Sequence, residues 1–332
     1  MDPIYELFLK HFQAENLDEC RELINQPEFD VNHIYTQKEL KTRLLNFPID
    51  ENLVIDKSTI TLNVMQLIAR LGKKWASPLI QSVLELEPCV GGGAIVVDLD
   101  LQNCGGWTAL MMAACHSTDT SSLETLETLI RARVNLNLRN ADGYSALILA
   151  VTKFYGNMSS RETIELLILA GANIDLQDKY GYTALMHTVF NPNNKSSLQT
   201  VELLIQAGAS PNLQNSDGLV ALMLAAQYSK STNSLEIIEL LIRAGANLDI
   251  QAKNGYTALM LASEESNKTS SLKTVELLIC AGAKLDLQTK KGLTAVLLAA
   301  INSATTSSIE TVITLISAGA QYDSHKQKIK PM

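Results

Sequence analysis

The sequence predicts an all-α protein, a solenoid of stacked helix-loop-helix units with short projecting hairpins. The first observation is a phrase, G-x-x-A-L/V, that returns every 37 or 38 residues, at Gly106, Gly143, Gly181, Gly218, Gly255 and Gly292. The second is that each copy contains two apolar helix patterns, which could not be buried without a neighbouring copy. The third is composition: 46% of residues are hydrophobic but only 5% are aromatic, which favours many short helices in close contact.

Each unit opens with a short helix. After the glycine, Ala109, Leu110 and Ala113 and their equivalents are spaced to form one apolar stripe. A loop rich in Ser, Thr and Asn then interrupts the pattern, as in "HSTDTSS" and "SNKTSS". We interpret these loops as solvated connectors that cap the next helix; the alternative is a phosphorylation target, because added charge could reorder them.

The second helix of each unit is predicted to begin at a capping box, in which Ser or Thr precedes Glu or Gln by three residues. The pattern fits four pairs: Ser121 with Glu124, Ser159 with Glu162, Ser196 with Gln199, and Ser307 with Glu310. Asn233 with Glu236 is a near match, and Ser270 keeps the cap but precedes Lys273. Such caps satisfy backbone N–H groups that the first turn leaves unpaired.

The end of the second helix is marked by a glycine, which indicates a left-handed residue there. The glycines are Gly171, Gly208, Gly245, Gly282 and Gly319. Arg133 occupies this position in the first unit, so we expect a strained or reshaped turn. A segment such as "NLDIQAKNG" follows, and its alternation and turn residues predict half of a hairpin that leads into the next unit.

These strings resemble the ankyrin repeat family. "GYTALMLA" is similar to the motif that opens the family's first helix, with Ala where many members have Pro, and "AGANLDIQAKNG" is similar to its glycine-plus-hairpin segment. The resemblance covers about 100–323 and implies an ankyrin-repeat solenoid. The period of 37 residues exceeds the family's usual value of about 33, and alignment of both helices puts the extra length in the Ser/Thr/Asn loop.

The predicted organisation has three parts. Residues 101–323 form six regular ankyrin repeats. Residues 1–100 form degenerate N-terminal capping repeats, over 5–34 and 61–86, with an inserted hairpin arm at about 35–57. Residues 324–332 form a basic C-terminal tail.

Charge and cysteine usage exclude several classes of function. The formal net charge is −8 and no basic stripe is visible, so no nucleic-acid partner is expected. No apolar run approaches the roughly 18–20 residues of a membrane span, so no membrane partner is expected either. Five cysteines without a C-x-x-C spacing, and a start that does not resemble a signal peptide, favour a cytoplasmic location.

Three features that could suggest chemistry are better explained by structure. "CVGGGAIVV" (89–97) lacks the Lys-Ser/Thr of a phosphate loop. Cys115 and His116 are neighbours that would point in different directions from a helix. His187 stands where other units carry Leu, which favours a core or groove residue over a ligand. We therefore predict no enzyme, no cofactor, no metal site and no catalytic residue.

The resemblance implies that the residue after each glycine lies beside a hairpin tip, opens onto the concave face and varies with the partner. Tyr and Trp are the residues most enriched in binding hot spots; the alternative is that each ring merely packs on its neighbouring hairpin. The candidates at or beside this position are Trp107, Tyr144, Tyr180, Tyr182, Leu219, Tyr256 and Leu293. Tip residues that would add polar selectivity are Asp178, Lys179, Asn215, Asp217, Lys253, Asn254, Lys290 and Lys291. In the family, acidic and amide residues at positions such as Asp175, Asp249, Asp286, Asn137 and Asn212 brace the turn.

The sequence thus predicts a protein–protein interaction scaffold that binds a protein partner through its concave face and hairpin tips. One alternative is a bacterial effector that uses the array on a host protein in the host cytosol. Another is an enzyme with its active part in 1–100. The last unit reads "VITLI", which puts Ile313 where other copies have Glu, so either the tail or another chain, in an end-to-end contact, is expected to cover it.

Overall fold

The structure is a computed structural model that divides into two compact units, Met1–Asn173 and Ile174–Met332, and each unit is described by itself. The described residues are 8, 10, 11, 16–24, 26, 34–36, 61–63, 98–115, 120–152, 160–190, 197–230 and 233–321. The glycine-rich loop at 89–97, most of the predicted arm and the basic tail lie outside these residues.

Over its described residues, the first unit has one N-terminal helix, a short two-stranded sheet and two helix pairs. Its described elements are α1 (Leu17–Ile24), β1 (Ile34–Thr36), β2 (Thr61–Asn63), α2 (Ala109–Cys115), α3 (Thr120–Arg131), α4 (Ala146–Val151) and α5 (Arg161–Leu169). The strands are antiparallel, with Tyr35 opposite Leu62, and they enclose 37–60. Helix α2 packs on α3 and on α4, and α3 packs on α5.

The second unit consists, over its described residues, of four successive helix pairs. The pairs are α6 (Ala184–Phe190) with α7 (Ser197–Gln206), α8 (Ala221–Gln227) with α9 (Ser234–Arg243), α10 (Ala258–Glu264) with α11 (Leu272–Cys280), and α12 (Ala295–Asn302) with α13 (Ile309–Ser317). Each first helix packs on its own second helix and on the next first helix, and each second helix packs on the next second helix. Helix pairs stacked in sequence confirm the predicted class of fold.

The core of each helix pair follows from its residue pattern. In α8 every residue from Ala221 to Ala226 is buried, because the helix is packed against α6, α9 and α10 and its alanines let them approach closely. In α9 only one stripe is buried, formed by Ile237, Ile238 and Leu241. Burial of each such side chain contributes roughly 1.5–3 kcal/mol. The first helix of this pair is thus enclosed, whereas the second helix keeps an exposed face.

Three of the second helices have an N-cap one residue later than predicted. Ser160, Ser271 and Ser308 accept hydrogen bonds from the backbone N–H three residues on, so the caps are not Ser159, Ser270 and Ser307. The predicted cap Ser121 lies inside α3, which begins at Thr120, and Asn233 is the N-cap of α9 but makes no side-chain cap bond. Ser159 and Ser196 lie outside the described residues.

The displaced serines instead bind neighbouring repeats together. Ser270 Oγ lies 2.9 Å from Ser229 Oγ, and Ser307 Oγ lies 3.1 Å from Ser266 Oγ. Ser266 Oγ is also 2.7 Å from the hydroxyl of Thr311, and all three members of this second cluster are buried.

The backbone of the loops adds further bonds between repeats. The Lys230 N–H donates to the Thr269 carbonyl at 3.0 Å, and the Asn267 N–H donates to the Thr306 carbonyl at 2.9 Å. In these repeats the Ser/Thr/Asn loops are therefore structural connectors.

The positions that the repeat reserves for glycine are restricted in two ways, by a left-handed backbone conformation and, at some of them, by lack of space for a Cβ. Arg133 has φ 60°, in the same left-handed region as the glycines that end the other second helices, with φ between 84° and 101°. The first regular repeat therefore keeps the left-handed turn at the end of its second helix, with the strain of a residue that carries a Cβ, and does not reshape it. At Gly255 the constraint is space as well as φ, because an added Cβ would lie 2.7 Å from the Lys290 backbone nitrogen.

Candidate functional site

Two hairpin tips of the second unit, those at Asp178 and Asn215, are built around a buried side-chain acceptor. Asp178 Oδ1 accepts hydrogen bonds from the N–H groups of Tyr180 at 2.8 Å and Tyr182 at 2.9 Å. Asn215 does the same one repeat later, for Asp217 and Leu219. Both acceptors are buried, with 5% and 6% of their surface exposed. This burial argues against the predicted contact of Asp178 and Asn215 with a partner; they hold the tip backbone that displays other residues.

Neighbouring tips are linked by two kinds of repeated hydrogen bond. Gln177 Nε2 donates to the Gly181 carbonyl at 2.7 Å and to the Gln214 carbonyl of the next repeat at 2.9 Å. Gln214 and Gln251 repeat this arrangement. Backbone bonds join consecutive tips at the same level, from Ser216 to Tyr180, from Lys253 to Asp217 and from Lys290 to Asn254. The tips are thus ordered before any partner binds.

The acidic and amide residues at the base of each hairpin also join repeats. Asp249 Oδ1 accepts the Lys284 N–H at 2.9 Å, and Asn212 Oδ1 accepts the Asn247 N–H at 2.7 Å. Asp175, Asp286 and, in the first unit, Asn137 accept an equivalent backbone N–H. The bracing role implied by the resemblance therefore matches the geometry.

The residues after the repeat glycines differ in exposure. Trp107, in the first unit, is only 5% exposed and packs on its own hairpin, since a Cβ added to Gly105 would lie 3.1 Å from the indole Cδ1. At Trp107 the structure therefore favours the packing alternative over the predicted contact role. The other members of the position are half-buried: Tyr144, Tyr182, Leu219, Tyr256 and Leu293.

The tips of the second unit carry the exposed polar candidates. Lys179 and Tyr180 are exposed, with the Lys179 Nζ 5.1 Å from the Tyr180 ring centroid, a cation–π geometry. The remaining exposed tip residues are Asp217, Lys253, Asn254, Lys290 and Lys291. These side chains reach solvent from the ordered tip backbone, as a recognition role requires.

Three further side chains on this surface were missed as contact candidates by sequence reasoning. His187, in α6, has its ring centroid 5.5 Å from that of Tyr182. Phe190, at the end of α6, is 50% exposed and meets the Tyr228 ring edge-on at 5.5 Å. We name Tyr182, His187, Phe190 and Tyr228 the aromatic cluster. The sequence did contain a signal for Phe190: it is an aromatic residue at a position where the next three repeats have Gln227, Glu264 and Ile301.

Two carboxyl groups on this surface, those of Asp178 and Glu264, have pKa values that their surroundings shift. Burial raises the pKa of Asp178, but hydrogen bonds from His187 and from the N–H groups of Tyr182 and Tyr180 outweigh it, so that the pKa lies below its usual value. His187 Nε2 lies 2.9 Å from Asp178 Oδ2. Burial raises the pKa of Glu264, even though a hydrogen bond with Tyr256 opposes that shift.

Asn215 also has a partly satisfied amide. Its Nδ2 lies near the Tyr182 hydroxyl but makes no hydrogen bond of good geometry with any described residue. This orphan donor distinguishes the asparagine tips from the Asp178 tip, where the second oxygen is paired.

The described ranges contain neither a metal-type cluster of side chains nor a membrane-spanning helix. Within them, no three His, Cys, Asp or Glu side chains are grouped closely enough to hold a metal ion. None of the helices in those ranges has the length and apolar character needed to cross a membrane. Most of 1–100, where the alternative of an enzyme would place its active part, lies outside them.

Repeated helix pairs, ordered hairpin tips and ladders of hydrogen bonds between repeats define a helical repeat protein. The family model for ankyrin repeats in three copies matches residues 154–247, 192–289 and 222–328, and the model for a single ankyrin repeat matches 105–141. The chain belongs to the ankyrin repeat family. No curated protein matches it. Ankyrin repeats are generally protein–protein interaction modules and typically non-catalytic, and no enzyme family was found.

Proposed function

We propose that this ankyrin repeat protein is a binding scaffold that captures a protein partner through its hairpin tips and the exposed ends of its first helices. The observation that carries the proposal is the exposure of two large rings on the second unit. Tyr180 is 56% exposed on a tip, and Phe190 is 50% exposed at the end of α6, beside Tyr228. Large exposed apolar side chains on an otherwise polar surface are typical of binding sites.

The physical case rests on preorganisation. The rings are large, have few rotamers and stand on a backbone that hydrogen bonds to the neighbouring repeats already fix. A partner that buries such a ring loses little conformational entropy, and hot-spot rings of this kind contribute about 2 kcal/mol or more each. Trp107, Asp178 and Asn215 have no direct part in this surface, because they are buried.

The candidate contact set for the second unit then has three parts. The tips supply Lys179, Tyr180, Asp217, Lys253, Asn254, Lys290 and Lys291. The position after the glycine supplies Leu219, Tyr256 and Leu293, and the aromatic cluster completes the set. Tyr144 is the corresponding candidate in the first unit.

Site-specific photo-cross-linking tests the proposal. A benzoylphenylalanine placed at Tyr180 or at Phe190, in the full chain expressed in cells, should cross-link one and the same partner protein. The matched control is the same group at Glu202, which is exposed on the second helix α7. The proposal fails if Glu202 gives the same products as the two ring positions, or if Tyr180 and Phe190 give none.

The setting of this function is a separate proposal. We favour a cytoplasmic protein that binds a partner in its own cell. The alternative of a bacterial effector uses the same surface in the cytosol of a host. Identification of the cross-linked partner, as a protein of the same cell or of a host, distinguishes the two.

The last helix carries a second candidate contact. Ile309, Ile313 and Ile316 are 58%, 57% and 46% exposed, and their spacing puts them on one stripe of α13. In α11 the position of Ile313 is held by the exposed Glu276. We propose that this stripe is covered, either in an end-to-end contact with another chain or by the chain's own tail.

A further inference from the structure

The charges on the hairpin tips point to the chemistry of the partner. We propose that the second unit takes an acidic segment of a protein, whose carboxylates pair with the tip lysines and whose apolar side chains lie against the aromatic cluster. This inference rests on the binding function proposed above and specifies which kind of partner segment the same surface takes.

The tips are basic although the chain is acidic. The chain has a formal net charge of −8, yet the exposed charged residues on the tips of the second unit are Lys179, Lys253, Lys290 and Lys291 against Asp217 alone, four positive charges against one negative. Asp178, at the base of one tip, is buried and paired with His187. Acidic residues are exposed instead on the second helices, at Glu202, Glu236, Glu276 and Glu310.

The tip lysines differ from other basic residues of the same unit. Arg243 pairs with Glu239 at 2.9 Å, and Lys284 pairs with Asp249 at 3.3 Å. Among the described residues, no carboxylate lies within ion-pair distance of Lys253, Lys290 or Lys291. Their charge is therefore directed to solvent or to a partner rather than neutralised within the protein.

The lysines also stand in a register. Lys179, Lys253 and Lys290 hold the same position in three tips, 74 and 37 residues apart, with Ser216 in the tip between the first two. The backbone nitrogens of Lys253 and Lys290 are hydrogen-bonded to the preceding tips, which fixes where each side chain starts. A segment running along the tips would meet a positive charge at three of the four levels from Asp178 to Thr289.

The neighbouring apolar surface favours a peptide over nucleic acid. Phe190 and Tyr228 meet at an interplanar angle of 86°, so the edge of one ring covers a face of the other and the pair forms no stack of parallel faces for successive bases. Asp217 lies among the tip lysines and would repel a continuous phosphate backbone, whereas a protein segment can place its carboxylates opposite the lysines alone. A protein segment can alternate acidic and apolar side chains, so that the acidic ones pair with the tip lysines and the apolar ones pack on the aromatic cluster.

Selection from a displayed library of random 12-residue peptides tests the inference on the purified full chain. Three proteins are compared: the natural chain, a tip variant with Lys179→Glu, Lys253→Glu, Lys290→Glu and Lys291→Glu, and a matched control with Lys230→Glu, Arg243→Glu, Lys268→Glu and Lys273→Glu. Both variants change the net charge equally, and all eight residues are exposed. Circular dichroism verifies that both remain folded.

We expect the natural chain to enrich peptides rich in Asp and Glu that also carry an aromatic or aliphatic residue. The affinity of the best peptide should fall at least about ten-fold in the tip variant, since several exposed ion pairs are lost together. It should stay within about two-fold in the control and weaken as NaCl rises from about 50 to 500 mM, because salt screens exposed charges.

A third variant, Tyr180→Ala with Phe190→Ala, separates the two proposals. Enriched peptides that need these rings but show no acidic excess would overturn the inference and leave the binding function standing. No enrichment by the natural chain, or enrichment that neither variant reduces, would overturn both. Binding of a 12-nucleotide single-stranded RNA more tightly than any peptide, lost in the tip variant, would overturn the inference in favour of nucleic acid.

Discussion

Asp178 Oδ2 and His187 Nε2 lie 2.9 Å apart, and this pair replaces an asparagine and a leucine, Asn215 and Leu224, at the same positions one repeat later. The Asp178 side chain is only 1% exposed, so its second oxygen depends on the imidazole for a partner. Two departures from the repeat pattern are thus physically coupled, because the carboxylate is tolerated in the interior only beside the histidine.

A double-mutant cycle measures this coupling. His187→Leu alone should lower the free energy of unfolding by about 1–3 kcal/mol, because it leaves a buried carboxylate oxygen unpaired. Asp178→Asn alone should cost less, about 1 kcal/mol, since an asparagine oxygen can still accept both tip N–H groups, as Asn215 does. The double variant matches the next repeat and should lie near the natural chain in urea denaturation. Strictly additive losses would show that the pair is not coupled.

The same pair predicts a dependence on acid. The folded-state pKa of Asp178 is lowered, so its contribution to stability is complete above the unfolded pKa of about 4 and is lost as pH falls through the lower folded value. The stability advantage of the natural chain over Asp178→Asn should therefore shrink as pH falls below about 4. Urea denaturation over this acidic range measures it. An advantage that grows below about pH 4 would contradict the assignment.

Arg133→Gly should stabilise the first unit by about 0.5–1 kcal/mol. The gain comes from relief of a left-handed residue that carries a Cβ, reduced by the extra freedom of glycine in the unfolded chain. The matched control is Gly245→Ala, where an added Cβ would meet nothing within 4 Å, so only the backbone conformation is penalised. That control should lose about 1 kcal/mol in thermal or urea unfolding. A loss of stability in Arg133→Gly would show that its turn is unstrained.

Ser266→Ala should cost about 1–2 kcal/mol, because it removes the shared partner of two buried hydroxyl groups, those of Ser307 and Thr311. Ser303 holds the equivalent position in the last repeat, where, among the described residues, its hydroxyl bonds to the Ala300 carbonyl alone, at 2.9 Å. Ser303→Ala should therefore change the free energy of unfolding by less than about 0.5 kcal/mol. Equal effects at the two serines would argue against a link between repeats through Ser266.

The exposed stripe of α13 predicts self-association. A variant with Ile309→Gln, Ile313→Glu and Ile316→Gln should be monomeric by sedimentation velocity at concentrations where the natural chain associates, with an unchanged free energy of unfolding. A natural chain that stays monomeric, together with a less stable variant, would instead assign the stripe to coverage by the tail.

The sequence was sufficient to predict the fold because the repeat register fixes which apolar stripes must meet. It was insufficient for three of the caps, because Ser160, Ser271 and Ser308 are each the second serine of a pair, as in Ser270–Ser271. Local spacing cannot tell which of two adjacent serines caps the helix. The choice is made by Ser229, a residue of the preceding repeat, whose hydroxyl lies 2.9 Å from that of Ser270.

For the predicted contact residues too, the sequence indicates which positions are repeated, whereas tertiary packing decides which side chains are exposed. Tyr180 and Lys291 are exposed, as a contact role requires. Trp107 is buried because glycine at position 105 leaves room for the indole, a relationship that the repeat pattern does not display. Phe190 was missed because its exposure depends on where α6 ends and on how Tyr228 packs beside it.

The loop bonds from Lys230 to Thr269 and from Asn267 to Thr306 make loop length a shared property of adjacent repeats. A residue inserted into one loop alone would leave donors and acceptors of its neighbours without partners. The length of these loops can therefore change without loss of hydrogen bonds in only two ways: a whole repeat is added or removed, or all of the hydrogen-bonded loops change together. A duplicated copy of 254–290 should join the array, whereas a single inserted residue in 266–270 should weaken the contacts of two repeats at once.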